Sequence, residues 1–304
     1  MSTSHAWVNG WLIPTEQPEL AVTDRGFLLG DGVFETIRIC SGRALELPLH
    51  LGRLRSSAEK MEIPLPGDLE VRLGDAITEV IGANGLDGAA MTAAVRLTVS
   101  RGPVAGRALL PPTGVAPTLV VQAWRVDPPP PELLRRGLHL VISTVRRDPM
   151  SPLAAVKTTS RADFVYARLE AHRRAADDAL FLTTDGHVAE ATSASIFMLD
   201  SAGIATPSLE CGILRGTTRE WVIRSGALAL GVSVREIQLA PEELRSASEV
   251  LLASSVAGIL PVTRIDGWPV SDGQPGPLSR RLREAREAAI TAAAATLAEL
   301  PPGP

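Results

Sequence analysis

Lys157 is the first residue whose type and surroundings suggest chemistry. Lysine occurs at only two positions, Lys60 and Lys157, and the rest of the 30 basic residues are arginine. Arginine keeps its proton in a protein, whereas burial can bring a lysine amine towards neutrality so that it attacks a carbonyl. Lys157 follows an uncharged run, residues 151–156, and precedes a polar Thr-Thr-Ser sequence. We predict that Lys157 forms a Schiff base; the alternative is a lysine retained by chance. Lys60 is predicted to lie on a solvated helical face.

Two further stretches carry residue types that complement such a lysine. Glu190 ends a predicted hairpin strand among apolar neighbours, where a buried carboxylate needs a cationic partner. Residues 215–218, Arg-Gly-Thr-Thr, open a predicted helix, and the amides and dipole at a helix start bind phosphate well. The simpler interpretations are a surface glutamate on an edge strand and ordinary helix capping.

These residue types are the ones that pyridoxal phosphate requires: a lysine for attachment, an acid at the pyridine nitrogen and donors for the phosphate. Arg53 is a candidate for a forked phosphate clamp, and Ser255 follows a predicted strand and offers a further hydroxyl. No Gly-x-Gly-x-x-Gly or Walker loop joins a strand to a helix, so nucleotide binding has little support. The residues therefore favour a pyridoxal phosphate site.

The elements that must position these residues form two halves. In the first, Asn9-Gly10 predicts a hairpin turn, and apolar spacing predicts helices over 48–61 and 68–81. Strands are predicted over 94–100 and 118–124. In the second half, strands are predicted over 138–144, 179–190 as a hairpin, 194–199 and 249–254, with a short strand ending at 206–207 and a further hairpin at 266–267. Helices are predicted there over 160–176, 217–230 and 278–300.

This hairpin-rich pattern predicts an α+β fold rather than a doubly wound parallel sheet. The proline-rich stretch 127–131 predicts a stiff linker, with a smaller domain over 1–126 and a larger one over 132–304 that carries the lysine. A chain of 304 residues with 45% hydrophobic content is long enough for two cores.

Composition excludes several classes of partner. The net charge is -4 and the pI about 5.8, without a basic run suited to nucleic acid. No signal pattern opens the chain and no apolar run reaches the roughly 20 residues of a membrane span, so a cytoplasmic location is expected. Cys40 and Cys211 lack metal-ligand spacing and are predicted to be buried thiols, and no metal site is expected.

Six motifs, in order along the chain, closely resemble the class IV (fold-type IV) pyridoxal phosphate enzymes. This group includes branched-chain and D-amino-acid aminotransferases and aminodeoxychorismate lyase. The motifs are Asp24-Arg25-Gly26 with Gly30-Asp31-Gly32-Val33-Phe34-Glu35-Thr36, His50-Leu51-Gly52-Arg53-Leu54, Lys157-Thr158-Thr159-Ser160-Arg161, Glu190-Ala191-Thr192-Ser193 with Ile196-Phe197, Gly212-Ile213-Leu214-Arg215-Gly216-Thr217-Thr218-Arg219, and Ser254-Ser255-Val256-Ala257-Gly258-Ile259.

The resemblance implies a two-domain α+β enzyme with the cofactor between the domains, and a homodimer whose partner contributes to each active site. It implies that Lys157 is the catalytic Schiff-base lysine and that Glu190 faces the pyridine nitrogen. The implied remaining cofactor-binding residues are Arg53, Leu214, Thr217, Thr218 and Ser255. The implied substrate-binding residues are Phe34, Arg96, Arg107, Val256 and Ala257.

Departures from the subgroup patterns leave the substrate open. Ala162 stands where branched-chain enzymes usually carry a tyrosine, and the only tyrosine, Tyr166, is one helical turn farther on. Thr36 replaces the glycine of Phe-Glu-Gly. The loop around Arg107 matches the lyase pattern only in part, and Arg96-Leu97-Thr98 matches half of the Arg-x-His of D-amino-acid enzymes. Arg25, Arg38, Arg96 and Arg107 are candidate carboxylate clamps.

We therefore predict an aminotransferase that moves an amino group between an amino acid, D- or branched-chain-like, or an amine, and a 2-oxo acid. The alternative is 4-amino-4-deoxychorismate lyase, which forms p-aminobenzoate and pyruvate. A binding module that keeps the fold without chemistry is the third hypothesis. It would leave a buried lysine and carboxylate without a function that offsets their desolvation.

Overall fold

The structure is a computed structural model that describes residues 4–17, 20–89, 91–106 and 108–298, with side chains described as far as residue 292. These residues form two compact units. Unit 1 comprises the chain through Asp127 together with Val156–Arg161, and unit 2 comprises Pro128–Ala155 and the chain from Ala162 onward.

Unit 1 is a six-stranded antiparallel sheet with three helices. Its elements are β1 (His5–Val8), β2 (Trp11–Pro14), α1 (Arg25–Leu29), β3 (Gly32–Cys40), β4 (Arg43–Ala44), α2 (Leu47–Lys60), α3 (Leu69–Ala83), β5 (Thr92–Ser100) and β6 (Thr118–Arg125). The strand order is β2-β1-β6-β5-β3-β4. Asn9 and Gly10 turn the first hairpin with φ of 50° and 108°, a conformation that favours these two residue types.

The core of unit 1 lies on one face of this sheet. Every second residue of β3 and β5 faces the apolar stripes of α2 and α3, as their spacing predicts. The fully or nearly fully buried members include Val33, Ile37, Ile39, Leu54, Leu69, Leu73, Val95, Leu97 and Val99. The opposite face of the same strands is therefore the one that carries the intervening polar residues.

Residues 156–161 join unit 1 through pairing with the start of β3. The N–H of Phe34 donates to the Lys157 carbonyl at 3.0 Å, and the N–H of Thr159 donates to the Gly32 carbonyl at 2.8 Å. Val156 is buried in the unit 1 core. These contacts place Lys157 in unit 1, whereas the sequence division assigned it to the domain over 132–304.

Unit 2 is built on a nine-stranded mixed sheet. Its strands are β7 (Leu138–Arg147), β8 (Asp178–Thr183), β9 (Val188–Ala191), β10 (Ser195–Asp200), β11 (Gly203–Pro207), β12 (Val234–Ile237), β13 (Glu249–Ser254), β14 (Gly258–Ile265) and β15 (Trp268–Pro269). The order is β12-β11-β10-β13-β14-β7-β8-β9, with β15 pairing β14.

Six helices accompany this sheet: α4 (Pro131–Arg136), α5 (Ala162–Arg173), α6 (Thr217–Trp221), α7 (Ala227–Ala229), α8 (Pro241–Ser246) and α9 (Pro277–Ala298). A short 3-10 helix spans Leu209–Cys211, and a π-helical turn, Val222–Gly226, joins α6 to α7. The turn places the Trp221 ring where a side chain on Gly226 would clash, at 2.6 Å from a Cβ. Glycine at this position therefore lets the turn close over the indole.

The fold class predicted from the sequence, α+β, is confirmed by these two sheets and their flanking helices. Periodicity failed for short elements. It did not predict α8 or β12, because runs of four to six residues are too short to show a period. Residue 131, predicted to end the linker, is instead the first residue of α4. Among the described residues, no helix is both long and apolar enough to cross a bilayer.

Candidate active site

Lys157 lies beside the aromatic ring of Phe34 in unit 1. Its Nζ is 4.7 Å from the ring centroid, and the side chain is half-buried. The guanidinium carbons of Arg96 and Arg161 lie 3.7 Å and 5.8 Å from the same centroid. We call these four residues the Phe34 cluster. Three cationic groups around one ring form a site that suits an anionic ligand.

The strand register explains why Arg96 belongs to this cluster. Phe34 pairs with Thr98 and Thr36 pairs with Arg96 across β3 and β5, so these side chains share the sheet face opposite the core. The Nε of Arg96 donates to Thr98 Oγ1 at 3.3 Å. Burial lowers the pKa of Arg96 below its usual value, because desolvation disfavours the charge. An anion against this guanidinium would offset that desolvation.

On the other face of β3, Glu35 binds Arg53. The Arg53 Nε donates to Glu35 Oε1 and its Nη2 donates to Oε2, each at 2.6 Å. His50 Nδ1 lies 2.8 Å from Glu35 Oε2. Burial raises the pKa of Glu35, but hydrogen bonds and charge from Arg53 and His50 outweigh burial and lower it to about 2. Arg53 is thus a cation whose orientation is fixed by an ionised carboxylate.

The structure corrects one candidate clamp. Arg25 is buried, and its three nitrogens already donate to Asp31 Oδ2 at 2.7 Å, to the Ala108 carbonyl at 2.7 Å and to the Leu109 carbonyl at 2.6 Å. Arg25 therefore has a structural role within unit 1, and Arg96 is the better candidate for the substrate carboxylate. Arg101 shares Asp31 Oδ2 at 2.8 Å.

The other candidate clamps differ in position. Arg38 lies on the same face of β3 as Phe34 and is half-buried. Arg107 lies outside the described residues. Arg96 is thus the described candidate that contacts the ring beside Lys157.

Glu190 is buried near the end of β9 in unit 2, where the hairpin around Asp185-Gly186 places it. Its Oε2 accepts a hydrogen bond from the N–H of Leu214 at 3.2 Å. Arg147 Nη2 lies 3.8 Å from Glu190 Oε1 and donates to the Ala154 carbonyl at 2.7 Å. Sequence reasoning missed Arg147. A long-range contact between β7 and β9 leaves no local signal.

The remaining predicted cofactor residues lie at the start of α6 and directly after β13. Thr217 Oγ1 is 3.0 Å from Ser255 Oγ, and both Thr217 and Thr218 are buried. Gly216 precedes the helix, and a Cβ there would lie 3.0 Å from Ser195 Oγ. Ser195 therefore approaches the backbone closely at Gly216, just before the first N–H groups of the helix, which have no acceptor within the helix. Val256 and Ala257, predicted to bind substrate, follow Ser255 and are half-buried and exposed.

The sequence also did not indicate that Arg219 has a structural role. It is fully buried, and its Nη2 donates to the Pro207 carbonyl at 2.8 Å and to Glu236 Oε2 at 2.7 Å. It thereby ties the first turn of α6 to the end of β11 and to β12. A fully buried arginine is rare, so no residue preference pointed to it.

The sequence predicted no metal site. Within the described ranges, no group of three or more His, Cys, Asp or Glu side chains is arranged to hold a metal ion. Both cysteines are free; Cys211 is buried as predicted, whereas Cys40 is only half-buried.

Comparison with known proteins identifies the family. The family model for amino-transferase class IV matches residues 32–265. A putative branched-chain-amino-acid aminotransferase of Methanocaldococcus jannaschii is 33% identical over 279 residues, which is 91% of this chain and 93% of that protein. A D-alanine aminotransferase of Bacillus licheniformis is 30% identical over 284 residues, 93% of this chain and 95% of its own.

Solved structures agree with these matches. The branched-chain amino acid aminotransferase from Escherichia coli has a TM-score of 0.84 and 26% identity, and the match covers 94% of this chain and 93% of that chain. Another branched-chain amino acid aminotransferase, solved with pyridoxamine 5′-phosphate, has a TM-score of 0.87 and 28% identity over 95% of each chain. This chain belongs to the class IV aminotransferase family, as its six motifs predicted. It is an enzyme of that family, and its cofactor is pyridoxal phosphate.

The residues described above fit this cofactor. Thr218 Oγ1 is buried and has no hydrogen-bond partner among the residues that the structure describes, beside the helix start where a phosphate is expected. A buried hydroxyl left in this state costs free energy until a ligand supplies the missing bond. Unit 2 also contains a buried carboxylate, Glu190, and unit 1 contains an amine, Lys157, which are the two other types of group that this cofactor requires.

Proposed function

We propose that this enzyme transfers an amino group between an α-amino acid and a 2-oxo acid. The observation that carries the proposal is the Phe34 cluster, in which the amine of Lys157 and the guanidinium of Arg96 contact one ring, at 4.7 Å and 3.7 Å. Amino transfer needs an enzyme amine that can attach the cofactor and move the proton at the substrate Cα. It also needs a cation that binds the substrate carboxylate. The cluster provides both within one unit.

In unit 1, Lys157 holds the cofactor and, when released, moves the proton at the substrate Cα as a general base. Arg96 binds the substrate carboxylate, and the Phe34 ring, 6% exposed, keeps water from the two charged groups. Arg53, held by Glu35, binds the phosphate as a forked donor. Arg107 remains a proposed second carboxylate ligand.

In unit 2, Glu190 keeps a proton on the pyridine nitrogen, and the Leu214 N–H orients its carboxylate. Thr217, Thr218 and Ser255 bind the phosphate through hydroxyls and through the amides at the start of α6. Val256 and Ala257 line the substrate side. When bound, pyridoxal phosphate supplies an electron sink for the carbanion formed at the substrate Cα.

The relatives suggest two classes of amino donor. The names of the two relatives refer to branched-chain amino acids and to D-alanine. Both donors share a carboxylate, which Arg96 would bind, and differ in the hand of the Cα and the size of the side chain. We propose that the natural donor is one of these amino acids and that the enzyme works as a homodimer. Two free cysteines suit a reducing compartment, which supports work in the cytoplasm.

The experiment that tests the proposal follows single half-reactions. The yellow enzyme is mixed separately with L-leucine, D-alanine, L-glutamate and aminodeoxychorismate, and the absorbance change to the pyridoxamine form is recorded. We expect conversion with at least one amino acid and recovery with a 2-oxo acid. Formation of p-aminobenzoate and pyruvate from aminodeoxychorismate, without any amino-acid half-reaction, would establish the lyase instead.

Lys157→Arg tests the role of the amine directly. Arginine keeps its proton and cannot attach the cofactor, so borohydride treatment should no longer add cofactor mass to the chain. Lys60→Arg is the matched control, because Lys60 is exposed at the end of α2. Mass spectrometry of the reduced proteins is the measurement. Cofactor mass retained on Lys157→Arg would contradict the assignment.

A further inference from the structure

Glu35 is a charged residue in an apolar position. It lies on the same face of β3 as Val33, Ile37 and Ile39, the face that packs against α2, and none of its surface is exposed. Burying an ionised carboxylate is costly unless charge and hydrogen bonds compensate it. If this position only packed in the core, an aliphatic residue would be expected here. The buried charge therefore indicates a specific interaction with a cationic partner.

That partner is Arg53, and the contact is bidentate. Two parallel hydrogen bonds of 2.6 Å join Arg53 Nε and Nη2 to the two carboxylate oxygens of Glu35. Such a fork fixes the plane and the direction of the guanidinium, which a single hydrogen bond does not. The Arg53 side chain remains 13% exposed while that of Glu35 is 0% exposed. The carboxylate therefore holds the arginine from the interior side.

His50 holds the carboxylate in turn. It lies one helical turn before Arg53 on α2, is buried, and places Nδ1 2.8 Å from Glu35 Oε2. Glu35 thus has contacts from two residues of the same helix, which constrain its rotamer as well as that of Arg53. Two buried residues, His50 and Glu35, therefore fix the position of one partly exposed cation, Arg53.

We propose that Glu35 is a positioning residue that orients Arg53 towards the cofactor phosphate, with His50 fixing the carboxylate. The inference rests on the phosphate-binding role proposed for Arg53. A guanidinium that is already oriented loses less rotamer freedom when phosphate binds, so its contribution to affinity is larger than that of an untethered arginine. Glu35 acts through Arg53 and does not touch the reacting atoms.

The test separates phosphate recognition from the rest of cofactor binding. Apoenzyme is titrated with pyridoxal phosphate and with pyridoxal, which lacks the phosphate. For each variant, the dissociation constant for pyridoxal is divided by that for pyridoxal phosphate, and this ratio measures how much the phosphate adds to affinity. For E35Q we expect this ratio to fall on the order of tenfold, because the charged hydrogen bonds that orient Arg53 are lost. The constant for pyridoxal itself should change little.

E70Q is the matched control. Glu70 also pairs with an arginine of α2, since Arg55 Nε lies 3.0 Å from Glu70 Oε1, but both side chains are about half-exposed, at 41% and 58%. E70Q should keep the wild-type ratio. In the R53Q background, E35Q should have no further effect on the ratio, since the residue that it positions is gone.

The outcomes are distinct. An E35Q enzyme with the wild-type ratio, or one in which both ligands weaken equally, overturns the positioning role. A wild-type enzyme that binds pyridoxal as tightly as pyridoxal phosphate overturns the phosphate site itself, and this inference with it. If circular dichroism shows that E35Q does not fold, E35D decides: it keeps the charge but withdraws it by one methylene, and an unchanged ratio in E35D overturns the proposal.

Discussion

Arg96 is both stacked on an aromatic ring and partly desolvated. Its guanidinium is stacked 3.7 Å from the Phe34 ring centroid, and burial lowers its pKa. It stays charged nevertheless, because the usual value for arginine lies far above neutral pH. Cation–π contact offsets on the order of 1 kcal/mol of such a desolvation cost. The rest is free energy that a bound carboxylate can recover, which is why we assign the substrate carboxylate to Arg96.

Arg96→Gln should therefore raise KM for the amino acid while the cofactor remains bound. A charged arginine–carboxylate contact contributes about 1.5–3 kcal/mol, so kcat/KM should fall by about 10- to 150-fold. Steady-state kinetics and the absorbance of the bound cofactor are the measurements. Arg125→Gln is the control, because the Arg125 side chain is 68% exposed at the end of β6 in the same sheet. An unchanged KM in Arg96→Gln would assign the carboxylate to another residue.

Glu190→Gln should retain the cofactor but slow the chemical step. The buried carboxylate is oriented by the Leu214 N–H, and in the proposed site it supplies the negative charge that a protonated pyridine nitrogen needs, whereas a neutral amide does not. Loss of one such electrostatic contribution slows a reaction on the order of 10²-fold. Single-turnover rates with saturating amino acid measure this. Glu132→Gln, a change of an exposed unit 2 glutamate, should leave the rate unchanged; a full rate in Glu190→Gln would remove Glu190 from the mechanism.

At the scale of elements, β3 contributes residues to the proposed site from both of its faces. Phe34 lies on the face that carries the Phe34 cluster, and Glu35 lies on the face that packs on α2, because successive side chains of a strand point to opposite sides. The same nine-residue strand therefore places the ring beside Lys157 and orients Arg53. A one-residue slip in its register would exchange the two sets of side chains.

The contact between β3 and α2 predicts a pH dependence of stability. The pKa of Glu35 is lowered from 4.5 to about 2 in the folded protein, so its stabilising effect is fully present above pH 4.5 and is lost as the pH falls towards 2. A shift of this size corresponds to about 3 kcal/mol of unfolding free energy. The E35Q protein should lack this part of the acid sensitivity.

Urea unfolding at several pH values between about 2 and 7, followed by far-UV circular dichroism, tests this expectation. The difference in unfolding free energy between wild type and E35Q should shrink as the pH is lowered. E70Q should follow the wild-type curve. A difference that stays constant with pH would mean that Glu35 has an ordinary pKa in the folded state.

Local sequence patterns predicted the long elements because those patterns are properties of short segments. The turn at Asp266-Gly267, with φ of 51° and 82°, and the apolar stripes of α2 and α3 are examples. Contacts between distant segments were not predictable in this way. The pairing of Val33 with Thr158 places Lys157 beside Phe34, and hydrogen bonds to carbonyls 83 and 84 residues away engage Arg25. Residue type in its local context singled out Lys157, Glu190 and most of the candidate phosphate ligands, and the motif resemblance added the candidate substrate-binding residues; periodicity identified neither set.

At the scale of the whole molecule, unit 1 leaves apolar surface exposed around α1. Phe27 and Leu28 are 69% and 50% exposed, and Leu109 and Leu110 are 78% and 84% exposed. Hydrogen bonds from Arg25, within α1, to the carbonyls of Ala108 and Leu109 hold the two segments together. Several large apolar side chains exposed on two linked segments are typical of an interaction surface. We propose that a second copy of this chain covers it in a homodimer.

Phe27→Asp should therefore shift the protein towards a monomer, because a charge at this position would have to be desolvated in the dimer. Sedimentation equilibrium is the measurement: the wild type should approach twice the chain mass of 32.1 kDa, and the variant should approach that mass itself. Leu228→Asp is the control, since Leu228 is 75% exposed on α7 in unit 2. If the homodimer completes each active site, Phe27→Asp should also lose activity at low enzyme concentration and regain it as concentration rises. A dimer that persists unchanged in Phe27→Asp would place the interface on another surface.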